Sequence, residues 1–159
     1  MKKYFMIMIC FVLFVFTGCE DLDKHNPNAN NEKIGTEIIR CFKEKDTEGL
    51  KSMFCSKISN SHDLDSEISA AMDFMEGEIE SYEISAGTGW SYDVDSGEWT
   101  RESIKPHINI ETSVGKKYRV PYGYVLINRD NPDHEGMFFM KIIDTESEEE
   151  RVEIGGDLV

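Results

Sequence analysis

Basic residues are scarce in this chain: 17 Lys+Arg stand against 31 Asp+Glu in 159 residues, a net charge of −14 with histidine neutral. That imbalance argues against nucleic acid as a partner, because phosphates would meet an acidic surface. Histidine is rare too, limited to His25, His62, His107 and His134, and cysteine occurs only as Cys10, Cys19, Cys41 and Cys55. No cysteine spacing fits a CxxC redox pair or a zinc knuckle. G-x-S-x-G, H-E-x-x-H, P-loop and dinucleotide fingerprints are all missing, which removes the familiar routes to an activated serine, a catalytic zinc or a bound nucleotide. Internal repeats and low-complexity tracts are lacking. No apolar run exceeds the thirteen residues Tyr4–Phe16, too few to span a bilayer comfortably. At 40% hydrophobic and 30% charged residues, the remainder has the composition of an ordinary globular domain rather than of a disordered chain.

What the first residues do have is an address. Lys2 and Lys3 precede the Tyr4–Phe16 run, which suits the hydrophobic segment of a secretory signal. The run closes in Phe16-Thr-Gly-Cys19, which resembles the lipobox of bacterial lipoproteins, with Phe16 where leucine is usual. The resemblance implies that Cys19 receives a diacylglyceryl group and becomes the first residue of the mature chain. Two acyl chains, at about 0.8 kcal/mol per buried CH₂, anchor firmly where one chain binds only marginally. Cleavage there removes Lys2 and Lys3 and no acid, moving the net charge from −14 to −16. Such a surface is repelled by anionic headgroups, so membrane lipid is engaged through Cys19, while cations and basic proteins remain compatible partners. Expected divisions are a leader at 1–18, a lipid-anchored flexible tether at 19–31 and a single domain at 32–159. The expected location is the outer face of the cytoplasmic membrane. Cys41 and Cys55 remain, either bridged in that oxidising setting or buried as free thiols.

Within the domain, apolar spacing changes from helical to strand-like at Gly77, read as a residue of positive φ just past a helix end. Asn31 to Lys45 reads as a first helix with Ile34, Ile38, Cys41 and Phe42 on one face. Asp46 caps a second, short helix carrying Leu50, Met53 and Phe54, and Ser56–His62 reads as a loop. A third helix begins between Ser61 and Asp65, with Leu64, Ile68, Ala71, Met72 and Met75 as its stripe. Beyond Gly77, Tyr82 and Ile84 begin a strand, Gly87-Thr-Gly89 reads as a turn, and Asp95-Ser-Gly97 as another. Trp99–Thr112 is a long strand in which Pro106 marks a bulge or an edge. Tyr118, Val120, Tyr122, Tyr124 and Leu126 share one parity, with Pro121 and Gly123 bending the strand. Met137–Ile143 is apolar on both parities, as in a strand covered on both faces, and Arg151–Ile154 adds a short final one. The expected fold is α+β, with three N-terminal helices packed on a bent antiparallel sheet of about four to six strands.

That order resembles the cystatin-like cone of the nuclear-transport-factor-two-like superfamily. More narrowly, Asp46–Phe54, Phe74–Tyr82, His107–Thr112 and Asn128–Gly136 resemble a family of small Gram-positive lipoproteins carrying the domain of unknown function 5104. The resemblance covers about Ile34 to Asp144 and implies a fold without supplying catalytic residues; superfamily members span enzymes, binders and structural modules, so function must come from the site.

Chemistry-bearing residues are few. His107 is the catalytic candidate, a general base oriented by Glu78 or Glu111, against the plainer reading of a rim histidine. Asp93-Val-Asp95-Ser-Gly-Glu98 and Asp130-Asn-Pro-Asp133-His-Glu135 are dense in oxygen donors, but lack the EF-hand pattern and read first as turns. Trp90, Tyr92, Trp99, Tyr118, Tyr122 and Tyr124 either line a hollow between sheet and helices or pack it, leaving two or three on the surface. The expected role is a non-enzymatic, membrane-anchored binding module, with no cofactor or metal expected. Alternatives are an immunity-type lipoprotein neutralising a basic toxin, a cone-fold enzyme using His107, and a binder of a cation or small ligand.

Overall fold

The computed structural model describes residues 26–147 and 149–158. The leader, Cys10, Cys19, His25 and most of the expected tether lie outside them. Helix α1 spans Pro27–Glu44, four residues earlier than its apolar face suggests. Asn26 is the cap: its side chain accepts from the Asn28 and Ala29 N–H groups at 3.1 and 3.3 Å. Pro27 follows at the first helical position, where a missing N–H costs nothing. The residues read as the end of the tether are therefore the first turn of the domain, and the boundary at residue 32 moves back to at least Asn26. Asn31 is buried inside that helix, and its carbonyl accepts from the Tyr122 hydroxyl at 3.2 Å.

Asp46 caps α2 (Thr47–Ser52) through the Gly49 N–H at 2.8 Å, as expected. Arg40 binds the same carboxylate at 2.8 Å. The Ser56–His62 loop contains a single turn, α3 (Ser56–Ser59), that buries Ile58. Helix α4 (Leu64–Phe74) is capped by Asp63 and buries Leu64, Ile68 and Ala71. Gly77 has φ +82° but lies three residues beyond the helix, and turns the chain into the sheet.

Five antiparallel strands follow in sequence order: β1 (Ile79–Asp95), β2 (Glu98–Thr112), β3 (Lys117–Asn128), β4 (Gly136–Asp144) and β5 (Arg151–Gly155). A 3₁₀ turn at Pro132–His134 joins β3 to β4. The Gly87–Gly89 segment is not a turn. β1 runs through it, and its register with β2 slips between Ser85 and Gly89, so that residues 86–88 oppose Pro106. Pro106 has no N–H to give the ladder, so the neighbouring strand bulges around it. β2 lies between β1 and β3, which makes Pro106 a bulge site and not an edge.

One sheet face carries Ile104, Ile108, Ile110, Tyr118, Val120, Tyr122, Met137, Met140 and Ile142, buried with Ile38, Leu50 and Ile68 of the helices. Each fully buried aliphatic chain contributes about 1.5–3 kcal/mol. The β3–β4 register shifts at Gly123/Tyr124 because Phe138 of β4 is an extra residue, and Tyr124, still paired with Ile104 and Met137, keeps the expected parity but is only half-buried. The parity breaks at Leu126, the extra β3 residue opposite Glu102 and Ser103. β4 is covered on one face only. Phe139, Lys141 and Ile143 stay half-buried on the other, where the Lys141 ammonium caps the Phe139 ring 5.8 Å from its centroid. Cys41 and Cys55 are free, buried thiols.

Asp144 is buried at the end of β4 and accepts from the Glu146 N–H at 2.8 Å and Lys116 Nζ at 3.0 Å. Those two bonds, the backbone one first, hold its carboxyl below the usual range. The Gly49 N–H and then Arg40 do the same to Asp46. A carboxyl lowered by folding stabilises the fold above its unfolded pKa, about 3.9 for Asp, and loses that contribution as pH falls through the folded value. The melting temperature should accordingly hold from neutral pH to about 5 and drop below about 4, with a shallower drop in Asp144→Asn. Thermal melts by circular dichroism check this, and a flat profile to pH 3 in the wild type contradicts it.

Candidate functional site

Helix α1 runs antiparallel to β1. Lys43 lies over the Tyr82 ring, 5.5 Å from its centroid, and Gly35 packs on Ile84, whose Cδ1 would be 2.9 Å from a Cβ at that glycine. At 1.5 Å per helical residue and about 3.3 Å per strand residue, the first turn of α1 comes level with Gly89. The β1–β2 hairpin continues past that point, turning at Ser96-Gly97 with positive φ at both, the pattern of a type I′ turn.

On the helix-facing side of this overhang stand Trp90, Tyr92, Val94 and Trp99. Trp90 pairs with Ile104 and Tyr92 with Glu102, both buried on the core side. Relative exposure is 44% for Trp90, 52% for Tyr92 and 48% for Val94, which marks them as surface and not core. The rings stack on one another: Trp90–Tyr92 centroids are 4.6 Å apart, Tyr92–Trp99 5.1 Å and Trp90–Trp99 6.3 Å. Beneath them Glu102, 1% exposed, accepts a hydrogen bond from Trp90 Nε1 at 3.3 Å. The opposite face of the hairpin is polar. Ser91 and Ser103 hydroxyls meet at 2.8 Å, Arg101 pairs with Asp130 at 2.7 Å, and Arg129 pairs with Glu98.

The six aromatics thus divide. Tyr118 and Tyr122 fill the core, Tyr124 and Trp99 are half-buried, and the exposed Trp90 and Tyr92 stack on Trp99 at the surface. Burial raises the phenol pKa of Tyr122 and of Tyr124, which keeps both protonated at neutral pH. The expected hollow is filled where the helices cover it, and exposed aromatic where they do not.

His107 pairs with Ser85 and Pro121 on the face away from the helices and is half-buried. Glu111 is four residues further along β2, roughly 13 Å at strand rise, and Glu78 lies past the Ile79–Thr112 pair at the end of the ladder. The fold does not bring this histidine and those acids together. In the two acidic loops, Glu98 and Asp130 are engaged by arginines, and Glu135 accepts from the Asn128 N–H at 2.8 Å. Among the described residues no group of three His, Cys, Asp or Glu is arranged to hold a metal ion.

Sequence reasoning missed Glu102. The signal was available, since a glutamate on the parity of Ile104, Ile108 and Ile110 must either bend the pattern or find a polar partner. Here the indole N–H supplies one.

Among the described residues, four helices against a five-stranded antiparallel meander, with one hairpin projecting beyond the helical layer, define an α+β domain whose exposed feature is aromatic. Its family can be stated: residues 37–145 match the model of a domain of unknown function, DUF5104, and the chain belongs to that family. The match runs from inside α1 through β4 and stops short of β5. No curated protein matches the chain.

Proposed function

We propose that this protein is a lipid-anchored binding module on the outer face of the cytoplasmic membrane, which holds a basic partner at the aromatic end of the β1–β2 hairpin. The leader and the Phe16-Thr-Gly-Cys19 sequence support the anchor. The observation that carries the binding role is the stack of Trp90, Tyr92 and Trp99, left at the surface of a chain with net charge −14. Exposed aromatic area of this kind marks contact surfaces, and aromatic faces attract Lys and Arg. Asp93 and Asp95 on the same strand add charge complementarity, which speeds encounter with a basic partner and disfavours acidic ones. Cys19 lies seven residues before Asn26, so the start of α1 stays within about 25 Å of the anchored sulfur.

The two tryptophans of the chain are Trp90 and Trp99, so intrinsic fluorescence reads this surface directly. Titration with polylysine should change the emission saturably, and Trp90→Ala should weaken the interaction about tenfold, some 1.4 kcal/mol. Emission that ignores polylysine, or equal affinity in the variant, overturns the assignment.

A further inference from the structure

The two edges of the sheet are treated differently. β5 is five residues long and packed against α4, where the Gly155 N–H donates to Glu67 Oε2 at 2.8 Å and Gly156 N–H to the Phe138 carbonyl at 2.9 Å. β1 is seventeen residues long and pairs with β2 alone among the described residues. Residues Ser91, Tyr92, Asp93, Val94 and Asp95 are exposed on both parities, whereas β2 beside them buries Glu102 and half-buries Trp99, Thr100 and Ser103. An exposed strand edge presents unpaired N–H and C=O groups and is a template for another strand unless something discourages it.

Here the discouragement is selective. Ile79–Asp95 contains Glu80, Glu83, Asp93 and Asp95 and no lysine or arginine. Edge-to-edge pairing of two copies would set acids against acids on chains already at −14. A basic strand meets the opposite situation. From Trp90 onward the side chains alternate, with Trp90, Tyr92 and Val94 toward the helical side and Ser91, Asp93 and Asp95 toward the other.

We infer that the outer edge of β1 between Trp90 and Asp95 takes an extended, basic segment of a partner protein as an added strand. The inference rests on the binding-module reading above and specifies the form of the partner. Main-chain hydrogen bonds supply affinity and alternate side chains supply selectivity. Apolar residues of the segment lie over Trp90, Tyr92 and Val94, and its lysines or arginines lie beside Asp93 and Asp95.

The test uses the protein as purified from membranes and the peptide acetyl-(Arg-Val)₃-amide, read by tryptophan emission and by amide hydrogen exchange. Binding should slow exchange within residues 90–95. The glutamate analogue (Glu-Val)₃ and the Asp93→Asn/Asp95→Asn variant should each weaken it about tenfold. Successive residues of a strand point their N–H groups to opposite edges. Of two peptides N-methylated on all valines or on all arginines, one should therefore lose binding and the other keep it. Equal binding by both methylated peptides, or protection outside β1, overturns the inference in favour of ionic adsorption. A concentration-dependent dimer that blocks the peptide assigns the edge to a second copy, and phosphatidylcholine vesicles that shift the emission unaided assign the surface to lipid; either result overturns it. If the peptide fails while polylysine still acts through Trp90, the strand inference falls and the binding surface stands. If both fail, both fall.

Discussion

Gly155→Ala should lower stability by about 3 kcal/mol, a drop in melting temperature of roughly 10 °C for a domain of this size. Gly155 has φ +71°, and a Cβ there would lie 2.4 Å from the Phe138 carbonyl oxygen, an atom of the adjacent strand's backbone. The left-handed conformation alone costs a side-chain-bearing residue about 1–2 kcal/mol. The clash adds to it, because the carbonyl is fixed by the Gly156 N–H and has nowhere to swing. Yielding means lifting β5 from β4, which takes Ile154 out of the core and breaks the Glu67 bond that ties the edge to α4. Gly156→Ala is the control: its Cβ would approach only the His62 ring, at 3.4 Å, an ordinary contact that should move stability by less than about 0.5 kcal/mol. Thermal denaturation of both variants checks the pair. A Gly155→Ala protein that melts within about 2 °C of wild type would mean that β5 is not docked as described.

Cys19→Ala should abolish lipid attachment outright. Two acyl chains at about 0.8 kcal/mol per buried CH₂ bring well over 10 kcal/mol of membrane affinity. The described residues offer nothing comparable: no helix among them is long and apolar enough to cross a membrane, and the chain's net charge of −14 is repelled by anionic headgroups. Cells fed radiolabelled palmitate should label the wild-type chain and leave Cys19→Ala unlabelled, with its eighteen-residue leader retained. Label that persists in the variant removes the anchor from the account.

Much of the fold was legible because short-range physics and tertiary packing agree along most of the chain. Asp46 caps a helix in isolation for the same reason that it does so here, and the Leu64, Ile68, Ala71 stripe is buried where its 3.6-residue period places it. Two errors share a cause. The start of α1 was hidden because Asn28, Ala29 and Asn30 carry no apolar period, although Asn26-Pro27 is a start signal by itself. The glycines at 87 and 89 looked like a turn because a wide bulge and a turn draw on the same backbone freedom. Only Pro106, nearly twenty residues away in sequence, decides between them. β4 was misread because composition cannot tell a second covering layer from a surface softened by Lys141 over Phe139. Within the site, all three ring residues were visible as candidates. Their exposure depends on where α1 begins relative to β1, a long-range fact that no local window contains.

All of this depends on the proposal that a lipid-bearing Cys19 presents this acidic domain outside the cell. Intact mass measurement of the protein recovered from cell membranes tests it most directly. The expected species is a chain beginning at Cys19 and heavier than its sequence by a diacylglyceryl group. A water-soluble cytosolic product that still begins at Met1, with its leader attached and no lipid, would contradict it.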